Sequence, residues 1–332
     1  MAAVNSAVIN SWWRERRLLL ICWHGVSNHD EHSWNPSLFM SAETLRMRLE
    51  LIRALKCNVL PLGEALAMVR SATLPPRAIA LTIDDGDSSF YLRTWPMLRT
   101  FGFPATLYWT TYYSTHPYAV FDPMLSYLLW KGRKRALVLR EPTLQCELRF
   151  AQEQARAFDV IYRFSKAAAW TSERKEHFLA ELAALLEIDY SEIRSRRVLH
   201  LISPEEARSM VAEGLDLQLH THRHRSPLNS VDFASELAAN SSVLREAGAK
   251  DPAHFCYPSG SFVPEFAEWL RDSGIQSAVT CQSGLIDRHA NPFFLPRLID
   301  HEGISPAEFR GWLSGIAATV RGRQRMAHHG FR

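Results

Sequence analysis

The sequence predicts an α/β fold built on a parallel sheet, and three observations carry that expectation. The segment Ala78-Ile79-Ala80-Leu81-Thr82-Ile83 is continuously apolar rather than alternating, as expected of a strand covered on both faces. Along the chain, short apolar runs alternate with stretches of helical periodicity, the pattern of parallel strands joined by crossover helices. With 332 residues and 47% hydrophobic content, the chain can bury a substantial core as one large domain or as a domain with an insertion.

Residues 1-17 read as an N-terminal extension, amphipathic from Val8 to Arg17, and Leu18 to Trp23 as the first strand of a domain spanning 18-320. The apolar run is barely as long as a minimal signal core, lacks a small-residue cleavage site and leads directly into His24, so it is not read as a signal peptide. No stretch approaches the roughly 18 apolar residues that cross a bilayer, and the expected location is cytoplasmic. Ser41 opens a helix with Leu45, Leu49, Ile52 and Leu55 at helical spacing. Asn58 to Leu62 is a short strand with a helix from Gly63 to Val69 behind it, and Pro75-Pro76 ends that unit before the 78–83 strand. Phe90 to Phe101 suits a helix that Pro96 starts or kinks, and Gly102 to Trp109 leads into the next strand.

The stretch 113-197, with its amphipathic segments rich in Arg, Lys and Glu, is expected to be a helical insertion. Ser203-Pro204-Glu205-Glu206 has the cap, the proline and the glutamate of a helix start, and Gly214 stops that helix. An alternating strand from Leu215 follows, then a helix from Asp232 to Ala247, a strand at Phe255-Cys256, a helix from Glu265 to Asp272 and a strand at 276–280. Phe294 to Ile299 is the closing strand, Ser305 to Val320 the last helix, and 321-332 a flexible tail.

Charge and cysteine usage exclude other classes. The 38 basic and 35 acidic residues leave a net charge of +3, too even for the footprint of a nucleic-acid-binding protein. Cysteines at 22, 57, 146, 256 and 281 are odd in number and contain no Cys-x-x-Cys pair, so they read as reduced residues, Cys22 and Cys256 packing as small hydrophobes.

The chemistry gathers at two strand ends. The 78–83 run ends in Asp84-Asp85-Gly86, and functional groups in parallel α/β folds sit at the carboxyl ends of strands. Alternation sends Asp84 and Asp85 to opposite sides, so one could hold a metal while the other works on a proton. Taken alone, Asp-Gly is equally ordinary turn chemistry. The strand from Leu215 ends in His220-Thr221-His222-Arg223-His224. A lone histidine is more often structural, and a His-rich patch can simply be solvated. Histidines four apart, with a carboxylate elsewhere, instead make a ligand set for zinc or a similar divalent ion that leaves a position for water.

Thr82-Ile83-Asp84-Asp85-Gly86 resembles the first motif of the polysaccharide deacetylases, the family of the nodulation protein B homology domain. His220-Thr221-x-x-His224 resembles their second, and Phe255-Cys256-Tyr257-Pro258-Ser259-Gly260 the aromatic-Pro-Gly third motif of one branch. Gly102-x-Pro104-Ala105-Thr106 is similar as well. The likeness covers most of 18–110 and 198–300 and fades across the insertion. It implies a distorted (β/α) barrel, a carbohydrate substrate and metal-dependent removal of acetyl groups.

Carried across residue by residue, the resemblance implies Asp85, His220 and His224 as ligands of a divalent ion, zinc foremost with cobalt, nickel or manganese as alternatives. It implies Asp84 as general base and the Tyr257 backbone N–H as a donor to the oxyanion. Trp23-His24 stands where permuted branches that make surface polysaccharide carry Tyr-His, which implies His24 as general acid. Other members place this acid in a late Leu-x-x-His motif, a context that His289, His301, His328 and His329 lack. Arg297 could orient Asp84 or an acidic substrate group, or be a surface arginine after Pro296. His222 faces away from its neighbours by alternation. His116 and Asp122 lack paired ligand spacing and read as structural or substrate-loop residues.

Two departures bear on the substrate. Phe255 and Cys256 stand where many members carry an arginine, and Asp87-Ser88-Ser89 follows the glycine in place of an aromatic. The leading expectation is an N-deacetylase of a polysaccharide, oligosaccharide or lipid-linked sugar, in carbohydrate metabolism or surface polysaccharide biosynthesis. An O-acetyl esterase or a deformylase of the same fold is the rival enzyme, and an inactive carbohydrate-binding protein the rival of another class.

Overall fold

The longest strand of the sheet, Ala78–Asp85, runs through the middle of a computed structural model that describes residues 12–317. In chain order the main-sheet strands are β1 (Leu19–Trp23), β2 (Asn58–Val59), β3 (Ala78–Asp85), β4 (Thr106–Trp109), β5 (Asp216–Leu219), β6 (His254–Cys256), β7 (Ser277–Val279) and β8 (Leu298–Ile299). They lie in the order β7-β6-β5-β4-β3-β1-β8, with β2 added to the start of β3, and every pairing is parallel. The stretch around β8 joins the two ends of this order: Leu298 pairs with Ile21 of β1, while Leu295 pairs with Val279 of β7. The sheet therefore curls into the distorted barrel the sequence implied. Pro296 has no N–H to give to a ladder, which is why the expected strand at 294–299 shortens to Leu298–Ile299.

The two faces of the sheet divide by residue parity. Leu19, Ile21, Ile79, Leu81, Ile83, Leu107, Trp109, Leu217, Leu219 and Phe255 join one apolar layer with Leu45, Leu49 and Ile52 of the helix Ala42–Ala54 and with Phe309 and Trp312 of Pro306–Ser314. Leu18, Leu20, Ala78, Ala80, Tyr108 and Cys256 line the other face, packed on Leu62, Ala65, Leu66 and Val69 of the helix Leu62–Ser71. At the carboxyl ends of β3, β5 and β6 this second face continues as Thr82, Asp84, His220 and Cys256, all buried. Strand period alone thus stacks the polar residues of three strands at one rim.

Local signals set the helix ends. The Ser203 hydroxyl accepts the Glu206 amide while Glu206 reaches back to the Ser203 amide, a reciprocal cap that starts Pro204–Ala212 just before β5. The helix after β3 begins as a wide π-helical turn, Phe90–Thr94, and becomes regular at Trp95–Phe101, where Pro96 occupies the first turn. Asn229, not Asp232, begins the helix after the histidines, because its side chain accepts the Asp232 amide. The helix expected over Ser305 to Val320 runs from Pro306 to Ser314, is interrupted at Gly315, which adopts a left-handed φ of 83°, and is helical again at 316–317, while 318–320 lie outside the described residues. His328, His329 and the segment 321-332 lie outside the described residues, as do residues 1–11 of the N-terminal extension.

The segment expected as an insertion folds around its own apolar cluster, built from Leu125, Leu128, Ile161, Phe178 and Leu182 of the helices Phe121–Lys131, Ala151–Ala167 and Ser172–Leu185. It also contains an antiparallel hairpin, Ala136–Leu139 with Leu144–Glu147, where only helix was expected. The alternation of buried and exposed residues in Ala136–Leu139 explains the difference, since four residues of period two are masked among long helical stretches. No helix of the described residues is long and apolar enough to cross a membrane.

Candidate active site

Asp84 and Asp85 end β3, and the backbone turns sharply there. Asp85 itself has φ 70° and Gly86 φ 88°, both in the left-handed region. A Cβ on Gly86 would come within 2.4 Å of the Trp109 ring, so glycine is required for space as well as conformation. The turn overrides alternation. Asp85 does not point to the far side of the sheet: its Oδ1 lies 3.0 Å from Nε2 of His220 and 3.3 Å from Nε2 of His224. Asp84, His220 and Cys256 meanwhile bring donor atoms within 4.8 Å of one another, so the two carboxylates share one site.

Asp85, His220 and His224 form a group that could hold a metal ion, with one donor atom from each lying within 4.8 Å of the others. Their hydrogen bonds fit a cation. Nδ1 of His220 lies 2.9 Å from the Cys256 carbonyl oxygen and donates to it, so Nε2 of the neutral ring presents a lone pair to the Asp85 carboxylate. Two acceptors facing each other require positive charge between them or a proton on the ring. Burial opposes charge on both Asp85 and His224. Their mutual attraction nevertheless holds the Asp85 carboxyl well below the usual range, with help from His220, and His224 above the ordinary histidine value. The His220 amide donates to Asn240 Oδ1 at 2.9 Å, and Asn240 Nδ2 donates to the Trp109 carbonyl and to Thr111 Oγ1, which locks the histidine loop to the end of β4.

Asp84 is held differently. Arg297 donates Nη1 to Oδ1 at 2.7 Å and Nη2 to Oδ2 at 2.8 Å, a two-pronged pair in which both side chains are almost wholly buried. Arg297 also donates to the Thr280 carbonyl and to Thr82 Oγ1, and the Cys256 thiol donates to Asp84 Oδ2 at 3.3 Å. Burial works to raise the Asp84 carboxyl, but the guanidinium beside it holds it well below the usual carboxylate range. Donor atoms of Cys22, His24 and Asp84 also cluster within 4.8 Å. With Arg297 already neutralising Asp84, that group and the one with Cys256 are poor cation sites compared with Asp85, His220 and His224.

His24 follows β1 at the same rim. Its Nε2 lies 3.9 Å from Asp84 Oδ2, and its Nδ1 is buried without a hydrogen bond among the described residues. The loops that carry it are pinned together, the Val26 amide donating to Ser89 Oγ and Asn28 Nδ2 to Ser88 Oγ, each at 3.0 Å. Asp87, in that same loop after Gly86, is buried, and burial pushes its carboxyl up to about 7.

Tyr257 is the correction. By parity it follows Phe255 onto the helix-packed face, where its ring stacks near Phe266 and Phe294 and its hydroxyl donates to the Phe293 carbonyl at 3.0 Å. Its backbone N–H donates to the Val279 carbonyl at 3.3 Å, continuing the β6–β7 pairing, so it is not offered to the site as an oxyanion donor. His222 turns away from Asp85, with Nδ1 2.9 Å from Thr111 Oγ1 and its ring edge-on to Tyr112. His116 packs at a tilt against Tyr112, and Asp122 sits in the first turn of Phe121–Lys131; neither joins the ligand group.

Cys256 and Asn240 were not singled out as functional from sequence. Asn240 had a signal: it falls between Leu237 and Leu244 on the buried face of its helix, where a polar residue must have a partner. Cys256 had none, since a cysteine in an apolar strand reads as packing.

Comparison with known proteins matches residues 166–278 to the polysaccharide deacetylase family model, a range that holds the histidines and the third motif but not Asp84 and Asp85. The poly-β-1,6-N-acetyl-D-glucosamine N-deacetylases of Escherichia coli K12 and O157:H7 are each 34% identical over 98 residues, 28% of this chain and 14% of theirs. The match thus spans about one seventh of the length of those relatives. Among solved structures, the Streptococcus pyogenes deacetylase PplD in complex with acetate has a TM-score of 0.58 at 13% identity, over 88% of this chain and 96% of that one. IcaB from Ammonifex degensii has 0.56 at 16%, over 91% and 97%. The deacetylase domain of BpsB from Bordetella bronchiseptica has 0.51 at 15%, over 85% and 95%. At these identities the structures establish the fold.

Proposed function

We propose that the chain, whose residues 166–278 match the polysaccharide deacetylase family model, is a metal-dependent hydrolase that removes N-acetyl groups from a polysaccharide or oligosaccharide, in surface polysaccharide biosynthesis. One observation carries the reading: a carboxylate fixed by Arg297 stands beside a carboxylate and two histidines grouped as cation ligands, at one rim of a barrel. Asp85, His220 and His224 would hold the ion, and a bound divalent ion polarises a carbonyl and acidifies water. Zinc suits this nitrogen and oxygen donor set.

Asp84 takes a proton from the attacking water. The Arg297 fork keeps it ionised and aimed, at the expense of basicity, so it is effective only toward water that is already acidified. His24 gives a proton to the departing amine; it lies on the Asp84 side of the site, its Nε2 3.9 Å from Asp84 Oδ2, and imidazole is the commonest side chain in such proton transfers. An amide needs that proton more than an ester does, since an alkoxide leaves more readily than an amide anion. His24→Ala is therefore expected to slow turnover of an N-acetyl substrate by roughly 10²–10⁴-fold and of an O-acetyl substrate by less. Equal losses on both substrates, measured as acetate release, would remove the acid role.

Because the E. coli relatives bear the name of a β-1,6-linked N-acetylglucosamine deacetylase, oligomers of that sugar are the first substrate to test. Purified protein supplied with zinc should release acetate from them. Release from O-acetylated oligosaccharides alone would assign the rival ester chemistry to the same site, and release from neither would leave a carbohydrate-binding protein.

A further inference from the structure

Beside the proposed site, a cavity of about 390 Å³ opens between the loop that carries His224 and the inserted helices. One wall comes from the barrel rim, with Tyr112, Tyr113, Arg223 and Arg225, and the other from the insertion, with Asp122, Lys166, Trp170 and Lys175. Arg225 lies one residue beyond His224, so the cavity adjoins the candidate ligand group through the backbone itself.

The charges in this cavity do not cancel. Arg223 is committed to Glu236 at 3.2 Å, and Glu176 on the far side is committed to Arg194 and to the Tyr190 hydroxyl. Lys166, Lys175 and Arg225 form no ion pair with a carboxylate among the described residues, and Asp122 is the remaining acid in the lining. Lys166 and Lys175 instead rest over the Tyr162 and Phe121 rings, at 5.1 and 5.3 Å. The crowding registers on Lys175, whose pKa is lowered by burial first and by Lys166 and Arg225 after that, with Asp122 opposing. Three cations and one carboxylate share the lining with Tyr112, Tyr113 and Trp170, a mix of aromatic contact for a saccharide and surplus positive charge for an anionic substituent.

We propose that this cavity is a subsite for a saccharide unit bearing an oxyanion, a carboxylate or a phosphate, next to the unit that is deacetylated. The proposal rests on the deacetylase reading for its substrate, and it names a preference within it: a glycan or phosphate-linked sugar with an oxyanion beside the N-acetylated unit binds more tightly than the neutral oligomer.

Binding is measured by calorimetry and kept separate from turnover. The probes are a hyaluronan hexasaccharide, which alternates N-acetylglucosamine with a uronic acid; UDP-N-acetylglucosamine, which carries the oxyanion as phosphate; and a neutral N-acetylglucosamine hexamer. At least one anionic probe should bind more tightly than the neutral one, with an affinity that falls as salt rises. The doubly substituted Lys166→Gln/Lys175→Gln protein should lose about tenfold in affinity for that probe and keep its affinity for the neutral hexamer. Lys175→Arg in the otherwise native protein should retain binding. Preference for the hexasaccharide identifies the carboxylate source, and preference for the nucleotide sugar the phosphate source.

Equal binding of all three probes, or an equal loss for the neutral hexamer in the double variant, overturns the subsite. Acetate release from the neutral hexamer accompanying that result would leave the deacetylase reading standing. Salt-sensitive anionic binding that the double variant loses, in a protein that releases no acetate from any probe, would keep the subsite and sink the deacetylase reading.

Discussion

His220→Ala combined with His224→Ala is expected to give a folded protein that retains no stoichiometric divalent ion and releases acetate no faster than buffer. Two of the three donors proposed for the ion are removed, and the one left, Asp85, is a single partly exposed carboxylate at the rim. Without the ion, bulk water must attack an unpolarised amide, and the Asp84 carboxylate, weakened as a base by Arg297, cannot make up the difference. The fold should survive, because what ties the histidine loop to the barrel is largely independent of the two rings. The residue 220 amide still donates to Asn240, and Asn240 still reaches the Trp109 carbonyl and Thr111. Elemental analysis after dialysis, acetate release and far-ultraviolet circular dichroism read the three expectations. A double variant that binds as much metal as the native protein removes Asp85, His220 and His224 as the ligand group.

Asp84→Asn should lower acetate release by roughly 10³–10⁴-fold while metal content stays at about one ion per chain. The substitution keeps the shape of the side chain but removes the carboxylate proposed as proton acceptor. It also strands a buried guanidinium, since Arg297 is almost entirely inaccessible and loses its counter-charge. Loss of one partner of a buried ion pair costs about 3–5 kcal/mol, so the denaturant midpoint should fall as well. Adding Arg297→Met removes the stranded charge and should recover part of the stability without recovering activity. This separates a base from a merely structural carboxylate, because a structural role predicts that activity returns with stability. Near-native turnover in Asp84→Asn would place the base elsewhere.

Much of the barrel is legible in the sequence. The unbroken apolar run of β3 announced burial on both faces, and the Ser203 to Glu206 pattern announced the helix start that leads into β5. The pairing of a double carboxylate with spaced histidines was also visible, because both groups sit where apolar runs end. What alternation misread was Asp85. A period of two assigns it to the opposite side from Asp84, but a left-handed turn at Asp85 and Gly86 returns it to the same site, and no spacing rule reveals a single positive φ at a non-glycine residue. The Tyr257 backbone N–H departs from the expectation for another reason: it donates to the Val279 carbonyl alongside the β6–β7 pairing, a partner that a linear reading does not supply. The hairpin at Ala136–Leu139 and Leu144–Glu147 was too short to stand out from its helical surroundings. The thiol of Cys256 against Asp84 depends on a contact between residues 172 positions apart in the chain, which a linear reading cannot supply.

The proposed role of an ion at Asp85, His220 and His224 in hydrolysis is tested most directly by acetate release from an N-acetylglucosamine oligomer before and after the metal is stripped and returned. Chelator-treated protein, verified metal-free, should be inactive, and about one equivalent of zinc per chain should restore the rate in the native protein but not in the His220→Ala/His224→Ala variant. Full activity in the verified metal-free protein would contradict it.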